Sequence, residues 1–472
     1  MSLEPLARLA SLRDEADPFI QDFFVRGEPV FVAAAPGRLD VMGGIADYSG
    51  SLALQLPLDR RTVAMLQLQP APAIEIVSLR SGETCRVSLP LDAFLHSPEY
   101  EPDRLAEHFS SAARDHWASY VVGVAHACLV RNASRVRDAT RGFRLLIDSD
   151  VPEGKGVSSS AAVEVSSLAV IAAAFDVEMS AEAIATVAQW AENTIARAPC
   201  GIMDQMTSAC GRADHLLRLR CQPATIEGHV SIPDGYRFYG IDSGIRHAVT
   251  GASYGTVRTA AFMGYRIIAA MAGLPVETDG ARVRIRDDRW RGYLAEIPPA
   301  LFTQQFEAAL PERMLGAEFI ARFHGITDSV TRVEPHREYA VRVATAHPVH
   351  ENARVERFAQ LLDSLGSSPS NAVAMGELMA ASHASYGACG LGSDGTDRLV
   401  RLVAEAGAER GLFGAKITGG GSGGTVAILG ASSADGAVRA IAARYAEETG
   451  RSAEVFAGSG PGMNERGVLM SS

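Results

Sequence analysis

The turn at Pro152–Ala162 carries the residue types best suited to binding a phosphate group. It reads Pro-Glu-Gly-Lys-Gly-Val-Ser-Ser-Ser-Ala-Ala and joins a strand-like run to a long apolar, helix-like run. Backbone amides at a helix N-terminus are unpaired and partly positive, and glycines let a triphosphate approach the backbone closely. The spacing matches neither a Walker A loop nor a dinucleotide fingerprint. The pattern predicts a nucleotide site, and an ordinary serine-capped helix is the alternative.

Carboxylates and a hydroxyl elsewhere could complete a site for phosphoryl transfer, which needs a divalent cation and a group that positions or deprotonates the attacking hydroxyl. Asp204 stands among apolar residues in a loop-like segment, where a charge needs a partner. Arg38 is one candidate partner. Ser160, at the predicted helix start, and Glu192, in a largely apolar helix-like run, are candidate magnesium ligands. The alternatives are helix caps at Ser160 and Asp204, and a solvated carboxylate at Glu192.

Asp47 and Tyr48 form a second candidate binding turn. They begin an Asp-Tyr-Ser-Gly sequence that lies between strand-like runs at Val30–Ala35 and Leu52–Leu56. Their side-chain oxygens could hydrogen-bond the hydroxyls of a sugar. They could equally form a local Asx-turn, which is common where Asp begins a turn.

Predicted strands and helices flank each of these motifs. The strand at Val30–Ala35 is predicted to end at Pro36–Gly37, because proline and glycine interrupt regular elements. Periodicity predicts further strands at Phe143–Ile147 and Phe238–Ile241, and helices at Ala161–Phe175, Ser180–Arg197 and Tyr254–Gly273. A glycine-rich turn at Gly419–Gly424 leads into another strand-like run. The motifs are therefore expected at the ends of regular elements.

The length of the chain indicates two domains. At 472 residues it exceeds the roughly 250–300 residues over which a single hydrophobic core grows. We place the boundary near 225–240, which gives an N-terminal domain at 1–230 and a C-terminal domain at 231–472. Residues 282–335 are charged and contain prolines, so they are interpreted as an elaboration of the second domain.

Composition favours a small-molecule partner. The net charge is −11, with Lys and Arg scattered along the chain, which argues against a nucleic-acid or membrane surface. The N-terminus lacks a basic start and an apolar core, and no apolar stretch approaches the roughly 20 residues that span a bilayer. We therefore expect a cytoplasmic protein. The sequence does not distinguish a monomer from a homodimer.

Three glycine-bearing blocks occur in the order that is typical of one enzyme superfamily. Pro36–Tyr48, Pro152–Ala162 and Gly419–Gly424 resemble the three signature motifs of the GHMP small-molecule kinases. The first block is similar to the galactokinase signature, and Pro199–Gln205 resembles the galactokinase segment that carries the catalytic aspartate. The resemblance spans nearly the whole chain.

The resemblance implies an α+β, two-domain GHMP kinase fold, with a ribosomal-protein-S5-like N-terminal domain and a ferredoxin-like C-terminal domain, and it implies ATP and Mg²⁺ as partners. It implies Asp204 as catalytic base, Arg38 as its charge partner, and Ser160 with Glu192 as magnesium ligands. The phosphate loop would comprise Pro152, Gly154, Gly156, Ser158, Ser159 and Ser160. The sugar would meet Asp47, Tyr48, Gly44, Ile45, Gly201, Tyr254, Gly420 and Gly421.

Two segments are more specific. Pro36–Ser51 and Gly240–His247 resemble the kinase domain of plant L-arabinokinases. Galactokinases carry a Glu-His pair where this chain has Gly44 and Ile45, and the family's glutamate contacts the exocyclic hydroxyl of the sugar. L-Arabinopyranose lacks that hydroxymethyl group, and an acceptor left buried and unpaired would cost roughly 1–3 kcal/mol. We interpret Gly44 and Ile45 as a neutral wall that favours L-arabinose.

Alternative functions remain open at the level of sequence. The sugar could be galactose or a uronic acid, although no Lys or Arg in the Gly44 turn would meet a C6 carboxylate. The chain could be a galactokinase-like regulator that binds sugar without turnover. A decarboxylase on the same fold is disfavoured, because Asp47 and Asp204 stand in intact sugar-kinase motifs.

Overall fold

The computed structural model describes residues 4–12, 17–80, 83–111, 115–132, 141–246, 252–280 and 282–471. Helices pack against two main sheets of largely antiparallel strands. This mixture confirms the predicted α+β class.

Alternating and buried apolar runs form the strands. In chain order these are β1 (Val30–Met42), β2 (Leu52–Gln69), β3 (Ala73–Arg80), β4 (Glu83–Pro90), β5 (Gly142–Ser149), β6 (His215–Arg220), β7 (Thr225–Ser231), β8 (Tyr236–Asp242), β9 (Val276–Asp279), β10 (Arg282–Ile285), β11 (Met314–Leu315), β12 (Glu338–Tyr339), β13 (Leu412–Ile417), β14 (Thr425–Ala431), β15 (Val455–Phe456) and β16 (Leu469–Ser471).

Runs rich in Ala and Leu form the helices, since these residues lose little side-chain freedom in a helix. In chain order these are α1 (Pro5–Leu12), α2 (Pro18–Gln21), α3 (Leu91–His96), α4 (Pro102–Ser111), α5 (Ala118–Arg131), α6 (Ser159–Ala174), α7 (Ala181–Thr194), α8 (Met203–Cys210), α9 (Ala252–Met271), α10 (Pro299–Gln305), α11 (Gly316–Phe323), α12 (Val341–Asp363), α13 (Asn371–Ala388), α14 (Asp394–Ala406), α15 (Asp435–Thr449) and α16 (Met463–Arg466).

The first sheet has the order β16-β1-β2-β5-β3-β4, and β6 joins β2 to β7. Its pairs are antiparallel except for β3 with β5. Helices α6 and α8 pack against this sheet, and α5 and α7 pack on those two helices. The strand β16, near the end of the chain, returns to pair with β1.

The second sheet has the order β13-β14-β8-β15 and is antiparallel throughout. Helices α14 and α15 pack on one side of it. The two sheets separate along the chain between β7 and β8, apart from the return of β16. A domain boundary near residue 230 stays a prediction.

The ends predicted for the first two strands are wrong. The strand predicted at Leu52–Leu56 continues to Gln69. The first strand does not end at Pro36–Gly37 but continues to Met42, with a register shift between Pro36 and Arg38. A bulge tolerates proline because one residue there leaves the ladder unpaired. Gly37 is required for packing, since a Cβ at this position would lie 2.6 Å from the Val157 carbonyl oxygen.

Residues 282–335 contribute apolar side chains to a buried core. Apolar side chains from this segment, including Trp290, Phe302 and Phe319, pack in one cluster with Ile45 and Tyr48 of the β1–β2 connection. The segment therefore backs the turn that was predicted to bind substrate.

Among the described residues, no helix is both long and apolar enough to cross a bilayer.

Candidate active site

Most of the predicted site residues line one open cavity. It is reached by the start of α6, the start of α8, the β1–β2 connection and the β13–β14 turn. The lining comprises Arg38, Asp47, Gly154, Gly156, Ser158, Ser159, Ser160, Glu192, Ala198, Pro199, Cys200, Gly201, Met203, Asp204, Tyr254 and Gly420. Motifs far apart in sequence thus form one surface.

The phosphate loop leads into α6 with its first amides exposed to the cavity. Gly154 and Gly156 have φ of 71°, and Ser158 has φ 61° and ψ 48°. Glycine adopts such angles freely, whereas serine is strained there. Ser158 makes no side-chain capping bond, so the expected alternative of a serine-capped helix does not describe this loop. Helix-start amides without a capping side chain suit an anion.

The Ser158 hydroxyl instead donates to Asp204. It lies 2.6 Å from Asp204 Oδ2, and Arg38 grips the same carboxylate through Nε and Nη2, each at 2.9 Å. Arg38 Nη1 also donates to the Gly156 carbonyl at 2.7 Å. A bidentate guanidinium pair fixes the orientation of a carboxylate. Arg38 therefore ties the candidate base to the phosphate loop.

Glu192 and Ser160 face the cavity next to this group. Burial and the nearby charge of Asp204 raise the pKa of Glu192 to about 7, although a hydrogen bond from Ser160 works in the opposite direction. Gln205 Nε2 donates both to Glu192 at 2.5 Å and to the fully buried Glu164 at 3.1 Å. The Glu192 carboxylate is thereby held toward Ser160.

This arrangement fits a magnesium ion that is held by few protein ligands. Among the described residues, no group of three or more His, Cys, Asp or Glu side chains could hold a metal ion. Mg²⁺ commonly takes one or two protein oxygens and fills its remaining positions with phosphate oxygens and water. The Ser160 hydroxyl and the Glu192 carboxylate, beside the phosphate loop, are oxygen donors of that kind.

Asp47 lines the same cavity and lies against Gly201. A Cβ at Gly201 would come within 1.6 Å of Asp47 Oδ2, so only glycine allows this approach. Tyr254 donates a long hydrogen bond of 3.4 Å to Asp47. Burial raises the pKa of Asp47 to about 6, with Asp204 adding to it and Arg258 opposing it. These groups present hydroxyl-binding oxygens to the cavity.

The interpretation of Gly44 and Ile45 as a wall facing the sugar needs correction. Neither residue lines the cavity, and the Ile45 side chain is fully buried in the core. A Cβ at Gly44 would lie 2.0 Å from the Tyr386 hydroxyl and 2.3 Å from Asp40 Oδ2. Tyr386 and Asp40 therefore occupy the space that a side chain at position 44 would need.

Three other predicted contacts also lie outside the lining. Pro152 precedes the cavity-lining part of the phosphate loop, and Gly421 packs toward Leu391 and Tyr386. Tyr48 is buried, and its hydroxyl has no hydrogen-bond partner among the described residues.

Several residues around the site were missed at the level of sequence. Gln205 directly follows Asp204, and Glu164 lies one helical turn after Ser160, so their spacing was the available signal. Lys155 of the phosphate loop pairs with the fully buried Asp242 at the end of β8. The Gly240–His247 segment starts within this strand, and its last residue, His247, lies outside the described residues.

Comparison with known proteins gives consistent results. The model for the GHMP kinases N terminal domain matches residues 119–212, the GHMP kinases C terminal model matches 360–447, and the galactokinase galactose-binding signature matches 18–68. A solved structure of Lactococcus lactis galactokinase complexed with galactose has a TM-score of 0.69 at 21% identity and covers 96% of this chain and 99% of its own.

Full-length relatives define the family. Galactokinase of Chloroflexus aurantiacus is 31% identical over 90% of both chains. L-Arabinokinase of Arabidopsis thaliana is 41% identical over 94% of this chain, which spans only 47% of the length of that relative. The chain therefore belongs to the GHMP kinases, among the galactokinase-like sugar kinases of that family.

Proposed function

We propose that this protein transfers the γ-phosphoryl group of ATP to the anomeric hydroxyl of L-arabinose, with Mg²⁺, and releases L-arabinose 1-phosphate and ADP. The observation that carries the proposal is the position of Asp204. Its carboxylate lines the cavity between the phosphate loop and the Asp47–Gly201 contact, and it is held there by Arg38. A hydroxyl placed between these groups would meet a proton acceptor and a phosphate together.

The reaction follows from that placement. The anomeric oxygen attacks the γ-phosphorus as its proton passes to the Asp204 carboxylate, and the bond from this phosphorus to the bridging oxygen of ADP breaks. Arg38 stabilises the negative charge near the attacking oxygen, and the α6 amides and loop glycines hold the phosphates. Positioning and electrostatics supply most of the rate in such transfers. Bound Mg²⁺, with Ser160 and Glu192 as ligands, would neutralise phosphate charge.

The relative with 41% identity is named an L-arabinokinase, and this likeness supports the same sugar for this chain. Gly44 and Ile45 do not line the cavity, so the choice of L-arabinose rests on that relative.

A uronic acid is a poorer fit. Among the described residues that line the cavity, Arg38 is the one basic side chain, and Asp204 occupies its guanidinium. A C6 carboxylate would therefore be buried without a free cation, which is costly. Galactose is the second candidate, because a 31% identical relative is a galactokinase.

Asp204→Asn tests the role of the base. The variant keeps the shape of the side chain but removes its proton affinity, so we expect kcat to fall by about 10²- to 10⁴-fold while the melting temperature stays close to that of the wild type. Asp214→Asn, an exposed position outside the cavity, is the matched control. Near-normal turnover of a folded Asp204→Asn protein would refute the assignment.

A further inference from the structure

Arg258 is a buried cation that the reaction does not use directly. It lies in α9, one helical turn after Tyr254, and its side chain is almost fully buried. Its Nε and Nη2 atoms donate to Asp328 Oδ2 and Oδ1, each at 2.8 Å. Its Nη1 donates to the Cys200 carbonyl at 3.0 Å. One guanidinium thus joins residues 282–335 to the loop that precedes the candidate base.

The contacts of Arg258 reach both loops on the sugar side of the cavity. The Cys200 carbonyl belongs to the peptide that leads into Gly201, which packs directly on Asp47. The guanidinium carbon also lies 5.5 Å from the centre of the Tyr48 ring, within the range of a cation–π contact. The charge of Arg258 favours the ionised form of Asp47 and so lowers its pKa.

Asp328 is held in place by hydrogen bonds from its own turn as well as by Arg258. Its carboxylate accepts from the amides of Val330 and Thr331 at 3.2 and 3.1 Å, and from the Thr331 hydroxyl at 2.7 Å. A carboxylate fixed by its own turn presents both oxygens to the guanidinium at little entropic cost. Buried ion pairs contribute little net stability, because desolvation offsets their attraction, but they can specify geometry.

We propose that Arg258 is a positioning residue for sugar binding, and that Asp328, supplied by residues 282–335, is the counter-ion that holds it in place. Arg258 sets the distance between the Cys200–Gly201 peptide and Asp47. The sugar-binding role of these loops rests on the proposed function, whereas their dependence on Arg258 does not. Among the described residues, the hydrogen bonds of this pair go to the Cys200 carbonyl and to the Val330–Thr331 turn, so we expect the pair to affect sugar binding more than nucleotide binding.

The double variant Arg258→Met/Asp328→Asn tests the inference. Removing both charges avoids an orphaned buried ion, so the folded state persists with a melting temperature near that of the wild type. The Asn193 amide, which also donates to the Cys200 carbonyl at 3.3 Å, still tethers the loop. Glu338→Gln, which breaks the exposed pair of Glu338 with Arg313, is the control from the same part of the chain.

Two measurements separate positioning from mere stability. Without ligands, amide hydrogen exchange in a peptide covering 198–206 should be faster by about tenfold in the double variant, the worth of one charged hydrogen bond, with 152–160 unchanged. In turnover assays, KM for the sugar should rise about tenfold and KM for ATP should stay within twofold. If the double variant does not fold, Arg258→Lys is the second variant. It keeps the positive charge but loses the paired hydrogen bonds of the guanidinium, so the hydrogen-exchange rate at 198–206 and KM for the sugar should both rise by a smaller factor.

Unchanged exchange at 198–206 would overturn the inference, as would equal rises of both KM values. Because exchange is measured without substrate, it decides the inference even if the wild type phosphorylates no tested sugar. Absence of turnover in the wild type would count against the proposed function alone.

Discussion

At the scale of single residues, the site depends on carboxylates that differ in their surroundings. Asp204 accepts hydrogen bonds from Arg38 and Ser158. Asp47 and Glu192 are buried with no ion pair to a cation among the residues that the structure describes, and their pKa values rise to about 6 and about 7. Groups with perturbed pKa values in a cleft are typical of functional sites. Burying these carboxylates lowers the stability of the folded protein, so their presence is explained by function.

Asp47→Asn should therefore stabilise the protein while it weakens sugar binding. The pKa of Asp47 is about 6 in the folded state and 3.8 ordinarily, so the folded state binds the proton more tightly and loses stability as pH rises from about 4 to 6. At 1.36 kcal/mol for each pH unit between these values, the variant gains about 3 kcal/mol above pH 7. Urea unfolding at several pH values measures this difference.

Asp47→Asn should give no gain in the free energy of unfolding below about pH 4, where Asp47 is neutral in both the folded and the unfolded state. Asp234→Asn, an exposed control, should show none at any pH. In the wild type, KM for the sugar should rise as pH falls through about 6, since a protonated Asp47 loses acceptor capacity. A destabilised Asp47→Asn protein at pH 8 would contradict this account.

At the scale of elements, the start of α6 combines a strained backbone conformation at Ser158 with a hydrogen bond from its hydroxyl to Asp204. Ser158→Gly should relieve the strain of φ 61° and leave the melting temperature equal or higher. It also removes the hydroxyl that donates to Asp204, so we expect kcat to fall by about tenfold or more, the worth of a hydrogen bond to a charged group. Thermal unfolding and steady-state kinetics measure the two effects.

Asp176→Gly is the matched control at the other end of α6. Asp176 is exposed and has φ 51°, so glycine there should raise stability and leave kcat unchanged. If Ser158→Gly likewise left kcat unchanged, the contact with Asp204 would have no catalytic role.

The link between the phosphate loop and β8 makes another prediction at this scale. Lys155→Met leaves the fully buried Asp242 without its cation, so we expect a loss of about 3–5 kcal/mol in the free energy of unfolding. Because Lys155 belongs to the phosphate loop, KM for ATP should rise while KM for the sugar stays constant. Arg439→Met, which breaks an exposed pair with Asp435, should change neither. A rise in the sugar KM alone would contradict this reading.

At the scale of the whole molecule, the predictable part of the structure is local. Periodicity predicted strands β5 and β8 and helices α6, α7 and α9 to within a few residues, because local pattern determines them, whereas β1 and β2 extend well past their predicted ends. The Arg38–Asp204 contact joins residues 166 positions apart, and spacing cannot predict it; the family resemblance supplied it. The burial of Gly44 and Ile45 was missed because Tyr386, which fills that space, comes from the distant helix α13. The packing of residues 282–335 was unpredictable for the same reason, since their partners lie elsewhere in the chain.

Both sheets contribute to the cavity, so its activity belongs to the assembled fold. The most direct test is ADP release by the wild type with ATP and Mg²⁺ against L-arabinose, D-galactose, D-galacturonate and D-glucuronate, with the sugar phosphate identified for each. We predict the highest kcat/KM for L-arabinose, with phosphate on the anomeric oxygen and galactose a poor substrate. Preference for galactose would contradict the substrate assignment, and no turnover with any sugar would contradict the proposed function itself.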